Sequence, residues 1–222
     1  MNKFFITNLF HINWIATVAL NFKTGGAAAV FHMPIRVYGK LKWHVSGSII
    51  VPGDAIRNTL IIGSRHEDYT NFVGKAEINI EGTWKVNGVV CIGPDSFIGV
   101  RKGALLEMGN GCMFARDTQI HCSEHIVFEN DIFAGELYAT DSSEHQIIKG
   151  GLKQPITEEI RVGKGSYFGF RCVLLKGCKI PPLSVVASCA VCSRDYTSYG
   201  EEKLFIAGIP ATVRSQDVTA VK

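Results

Sequence analysis

Of the side chains in this 222-residue chain, the seven histidines are the ones that exchange protons readily near neutral pH, their ordinary pKa being about 6.5. His11, His32, His44 and His66 fall in the N-terminal quarter, and His121 and His125 fall within a regular run. His145 stands apart, closing the string DSSEH four residues after Asp141. A histidine beside carboxylates suits general-base work, in which the imidazole takes a proton from a hydroxyl or an amine. Asp141 is the better candidate for positioning, because Glu144 is adjacent to His145 and neighbouring side chains of an extended segment face opposite ways. The structural alternative for Asp141 is a turn residue capping the end of a strand. Cys189 and Cys192 form a CxxC, but no second CxxC and no βαβ pattern accompanies them. With an odd total of seven cysteines and no regular spacing, the thiols read as small core residues in a reducing compartment.

The elements that must hold these residues announce themselves by spacing. Val162, Phe168, Leu174, Ile180, Val186 and Cys192 recur every six residues, and small residues (Ser166, Cys172, Cys178, Ser184, Ala190) follow four places after the first five. Neither a helix nor an alternating strand has that period; a parallel β-helix of hexapeptide repeats does. Three short strands make a coil of about 18 residues, with the apolar position aimed into the prism and the small one at a crowded bend. Stacking of coils then predicts Val162 beneath Ile180 and Phe168 beneath Val186. The frame is also present in Ile80, Val86, Ile92 and Ile98, slips by four into Met108, Phe114, Ile120 and Ile126, and slips by two into Phe128, Ala134 and Thr140. A weaker set, Ile50, Ile56 and Ile62, opens it.

Two stretches escape the period. Residues 9–33 place Ile12, Ile15, Ala16, Ala19 and Leu20 at helical spacing, which predicts one or two amphipathic helices docked on the β-helix, with an interfacial membrane contact through residues 1–33 as the second reading. Asn8, His11, Asn13, Asn21 and Lys23 interrupt the apolar run, so neither a spanning helix nor a signal peptide is expected, and the expected location is cytoplasmic. Residues 142–159 are polar and hold Gly150, Gly151 and Pro155; a loop of this length expelled from a solenoid is usually functional. The organisation expected is an N-terminal helical segment (1–45), a β-helix (46–196) and a C-terminal tail (197–222). The chain is 46% hydrophobic and 19% charged, which excludes a disordered chain, and a net charge of +3 argues against a nucleic-acid partner.

On these residues the chain resembles the hexapeptide-repeat acyltransferase superfamily, which implies a left-handed parallel β-helix, and within it the sugar and polysaccharide O-acetyltransferases. DSSEH resembles their Asp-x-x-x-His segment. VGKGSYFG followed by VLLKG resembles a segment in which a Trp is common where Tyr167 stands. AGIPATVR (Ala207 to Arg214) resembles their closing element, and PIRVYGKLK (Pro34 to Lys42) their opening one. Pro181 and Pro182 replace a usual Gly after Ile180.

The resemblance implies transfer of an acetyl group from acetyl-CoA to a sugar hydroxyl in surface polysaccharide or lipopolysaccharide synthesis, with His145 as base and Asp141 beside it. It also implies a homotrimer with sites between subunits, and a coenzyme A groove bordered by Tyr167, Gly169, Ser193, Arg194 and Arg214. No metal is expected. Three other readings stand beside it: N-acetylation of an amino sugar or small amine, a carbonic-anhydrase-like zinc site using His121, His125 and His145, and an inactive scaffold.

Overall fold

A computed structural model describes residues 10–53, 57–65, 74–218 and 220. Ile56 and His66 of the sequence reading lie outside the described residues. The strands, numbered in chain order, form three parallel walls visited in the same sequence on each turn. Among the described residues the first wall holds nine strands: β1 (Ile35–Val37), β4 (Leu60–Ile62), β7 (Val90–Ile92), β10 (Cys112–Phe114), β13 (Phe133–Ala134), β18 (Tyr167–Phe168), β21 (Val185–Val186), β23 (Phe205–Gly208) and β24 (Ala211–Ser215). The second holds β2 (Lys40–Val45), β5 (Lys75–Ile80), β8 (Phe97–Val100), β11 (Gln119–Cys122), β14 (Leu137–Thr140), β19 (Cys172–Leu175) and β22 (Val191–Cys192). The third holds β3 (Ser48–Ile50), β6 (Thr83–Asn87), β9 (Leu105–Gly109), β12 (His125–Phe128), β17 (Ile160–Val162) and β20 (Lys179–Ile180). This is a three-sided parallel β-helix.

The period of six predicts its core. Val162 pairs with Ile180 and Phe168 with Val186, and the apolar positions of the last three coils are buried, as are Ser166, Cys172, Cys178, Ser184 and Ala190 at the bends. Earlier coils are longer: Phe114 pairs with Ala134, a step of 20 residues (114 to 134), where Phe168 to Val186 is 18 (168 to 186). The slips in the frame have a plain cause. Third-wall strands are long enough to send two side chains inward, so Leu106 with Met108, and Ile126 with Phe128, are buried from single strands. The opening set is corrected in one place: Ile50 is exposed and its neighbour Ile49 fills the prism. The cysteines are unpaired; Cys192 points inward and Cys189 outward, so the wall separates the CxxC pair.

A helix, α1 (Trp14–His32), closes the bottom of the prism, broken where Gly25 and Gly26 leave helical geometry. It lies against β1 and β3. As the first strand of its wall, β1 has no strand below it, and unpaired backbone groups there need partners. Polar side chains supply them. The Asn21 side chain donates to the Ile35 carbonyl (2.7 Å) and accepts from the Ile35 N–H (3.0 Å), while the Thr17 hydroxyl accepts from the Val37 N–H (3.1 Å). Asn13 caps the helix by accepting from the Ala16 N–H (3.1 Å). The docked side therefore carries Thr17 and Asn21 beside Ala16 and Leu20, and Ile15, expected on that side, faces solvent.

At the other end AGIPATVR, expected within a tail beyond the β-helix, forms an antiparallel hairpin: β23 continues the first wall beyond residue 196 and β24 reverses against it. The buried Tyr196 hydroxyl donates to the Ala211 carbonyl (3.0 Å) and pins the hairpin. The interruption at 142–159 is likewise structured. It leaves β14 of the second wall, closes with a bridge between Ser142 and Thr157, and carries a small hairpin of β15 (Ile148–Lys149) and β16 (Leu152–Lys153) before β17 of the third wall.

Candidate functional site

A cleft of about 470 Å³ opens on the outer face of the second wall. Its floor follows from register: Asn79, Gly99 and His121 lie side by side on β5, β8 and β11, each one residue after an inward isoleucine. Gly99 leaves room there for the Phe97 ring, which a Cβ would approach to 2.8 Å. With that space free, the His121 ring packs between Phe97 (4.9 Å between centroids) and Tyr138 (5.5 Å). Burial among these rings holds the His121 pKa below its ordinary value, with Glu144 opposing and Arg101 adding to the shift. The imidazole is accordingly neutral at pH 7 and able to accept a proton. Glu81, Arg101, Ser123 and Glu144 also line the cleft, and Arg101 donates to the Glu144 carboxylate at 2.6 Å.

His145 follows Glu144, a lining residue of this cleft, in the chain. The chain reverses in a γ-turn in which the His145 N–H donates to the Ser143 carbonyl (2.6 Å), and Glu144 between them takes φ 60°, the left-handed region. The Ser142 hydroxyl accepts from the Glu144 N–H (2.9 Å) and fixes the turn. Glu144 thereby faces the cleft and His145 is exposed. Such a backbone is sustained only where its surroundings impose it, a frequent mark of functional loops.

Asp141 occupies a different environment from the one expected of it. Its carboxylate is fully buried and accepts from the N–H groups of Ser123 (2.7 Å), Glu124 (2.8 Å) and His125 (2.8 Å). These bonds hold the corner of the coil below, and none joins Asp141 to His145. The reason is local: Thr140 ends a wall strand, so the next side chain turns into the corner, where three backbone donors need an acceptor. Asp141 is a corner cap.

The five residues assigned to coenzyme A are dispersed within one chain. Tyr167 lies on the first wall, half-exposed and stacked on Phe133 (5.4 Å, 5° between planes). Arg214 is exposed on β24 of the same wall. Ser193 and Arg194 are exposed at the corner between the second and third walls, the corner from which the His145 loop leaves. Gly169 lacks a Cβ for a structural reason, because one would lie 2.5 Å from the Ser188 hydroxyl and 2.7 Å from its backbone nitrogen in the next coil. In a three-sided prism the second–third corner lies opposite the first wall, so Tyr167 and His145 of a single chain face away from each other.

The histidines of the zinc reading do not converge in one chain either. Both ring nitrogens of His125 face carboxylates, Glu159 at 2.8 Å and Glu107 at 3.2 Å. Among the described residues no group of three His, Cys, Asp or Glu stands ready to hold a metal. His44, read as lying outside the coils, is on β2 of the second wall. Sequence reasoning passed over His121 as a cleft residue, although the frame carried the signal: in Ile98–Gly99 and Ile120–His121 the residue after the inward isoleucine must point out, and the two stack on successive coils.

No protein-family model matches the chain, and no curated protein sequence matches it. Solved structures similar to it in the course of the chain include two acetyltransferases. One is the polySia specific acetyltransferase NeuO, with 12% identity, a TM-score of 0.49, and coverage of 85% of this chain and 73% of that one. The other is the polysialic acid O-acetyltransferase OatWY, with 16% identity, a TM-score of 0.44, and coverage of 82% and 90%. At those values neither likeness bears on the reaction of this chain.

Proposed function

We propose that the protein is an acetyl-CoA-dependent O-acetyltransferase acting on a sugar hydroxyl, with His145 as general base and the His121 cleft holding the acceptor. The observation that carries this reading is the cleft: an aromatic wall, hydrogen-bonding groups on Asn79, Glu81 and Ser123, and, one residue along the chain from its lining residue Glu144, the exposed His145. Aromatic faces with a few convergent polar groups suit a pyranose ring. His145 takes the proton from the acceptor hydroxyl as its oxygen bonds to the thioester carbonyl carbon. The carbon–sulfur bond then breaks, and the imidazolium returns the proton to the departing thiolate.

The donor side is supported by the first wall, where Met113, Phe133, Tyr167, Val185 and Phe205 form one outward apolar row suited to a pantetheine arm. Arg214 on that wall and Arg194 at the second–third corner supply charge for phosphates. Because that corner lies opposite the row, a complete site requires the first wall of one copy to face the corner of another. A ring of three copies repeats that contact and closes. We place the reaction in surface polysaccharide or lipopolysaccharide synthesis in the cytoplasm, where acetyl-CoA is made.

The test is thiol release from acetyl-CoA against a glycan panel. His145→Ala should lower kcat by about 10²–10⁴ while the acceptor KM changes little. His121→Ala should raise the acceptor KM and leave kcat within a few fold. The reverse pattern would make His121 the base, and release with amines alone would indicate N-transfer.

A further inference from the structure

The helix α1 docks through Ala16 and Leu20 as well as Thr17 and Asn21, yet its outer side is apolar too. Thr17 and Asn21 face the protein, spent on the edge of β1, while the outer side carries Trp14 (51% exposed), Ile15 (86%), Val18 (40%) and Phe22 (64%). Trp14, Val18 and Phe22 are spaced by four, so they form one stripe, and Ile15 flanks it. An apolar stripe of this extent on a soluble surface marks an interaction site.

The charge around it identifies the occupant. The first 53 residues contain no Asp or Glu, yet they hold Lys3, Lys23, Arg36, Lys40 and Lys42. Among the described ones, Arg36 is buried and Lys42 pairs with Glu77 of the next coil (2.8 Å), so Lys23 and Lys40 carry the positive charge this segment shows to solvent. Lys23 and Lys40 are exposed. A second copy docked face to face would bring these lysine-bearing segments together, like charge against like. An anionic lipid surface answers both features, accepting apolar side chains at the acyl boundary and attracting lysines at the headgroups. Among the described residues no helix is long and apolar enough to cross a membrane, and the break at Gly25 and Gly26 limits the stripe to a short run.

We propose that the outer stripe of α1 seats the protein on an anionic bilayer, lying in the interface with the prism standing off the surface. The test is co-sedimentation of the full chain with phosphatidylcholine vesicles containing about 30% phosphatidylglycerol, against pure phosphatidylcholine. Binding should be at least about tenfold tighter to the anionic vesicles and should fall in high salt. The triple variant Ile15→Ser, Val18→Ser, Phe22→Ser alters only exposed positions. It should keep the circular dichroism melt of the native protein and lose about a hundredfold in partitioning. Lys23→Glu with Lys40→Glu should weaken anionic binding about tenfold with the same melt. Failure of the native chain to bind anionic vesicles, equal binding to neutral ones, or equal binding by the triple variant would overturn the proposal. So would a stripe-dependent increase in oligomer size by light scattering without vesicle binding, which would make the stripe a contact between copies.

Discussion

Replacing Asp141 separates a structural role from a chemical one, because the same carboxylate was a candidate for each. Its two oxygens take three N–H groups, from Ser123, Glu124 and His125, at 2.7–2.8 Å, inside a corner that leaves the carboxylate no exposure. Asp141→Ala strands all three donors. Each lost bond is worth about 1 kcal/mol where water reaches part of the corner, so the loss is about 3 kcal/mol. Asp141→Asn keeps one acceptor oxygen and turns an NH₂ group toward the remaining donors, so about 2 kcal/mol is expected. With a urea slope of about 2 kcal/mol/M, the alanine variant's midpoint should fall by about 1.5 M. The assay is urea unfolding by circular dichroism at fixed protein concentration, paired with turnover in the absence of urea. Folded Asp141→Ala protein should retain most of its turnover. A midpoint within about 0.3 M of the native one, together with collapsed turnover, would refute the capping argument and return Asp141 to the side of His145.

Two more outcomes are expected. Burial favours neutral His121, so the unfolded chain binds its proton first; the contribution of His121 to stability is present above its ordinary pKa of about 6.5 and is lost as pH falls toward the lower folded value. An NMR titration should find the His121 midpoint below that of a denatured control, and His121→Gln should flatten the decline in stability between neutral and mildly acid pH. Tyr196→Phe removes the hydroxyl that donates to the Ala211 carbonyl and should cost about 1–1.5 kcal/mol. Hydrogen exchange should show the loss concentrated in the hairpin of β23 and β24, and uniform exchange along the prism would contradict it.

The fold was legible because a β-helix writes its core into the sequence at fixed intervals. Val162, Phe168 and Ile180 needed no tertiary information to be placed, and their partners followed from coil length. Ile50 went astray where the repeat is weakest, since one residue of register exchanges the inside for the outside. Residues 10–33 were harder for a different reason. Helical periodicity says that a helix has two sides but not which one docks, and here an unpaired strand edge drew Thr17 and Asn21 inward. At the site, spacing put Asp141 near His145 along the chain, but the corner geometry that claims its carboxylate depends on the neighbouring coil, 16 to 18 residues earlier (141 − 125 and 141 − 123). His121 was readable from the frame.

The Asn21 side chain has a consequence for the molecule as a polymer. A parallel β-helix is in principle open-ended, since its first strand offers the template that every other strand uses, and a second molecule supplying one more strand would begin a filament. By placing its own amide against both the N–H and the carbonyl of Ile35, Asn21 acts as a chain terminator on the first wall. At the far end of that wall β24 does the same by reversal, presenting a strand of opposite polarity with a register shift and an exposed Arg214. The first wall has a defined length because neither of its ends offers the next strand a place to start.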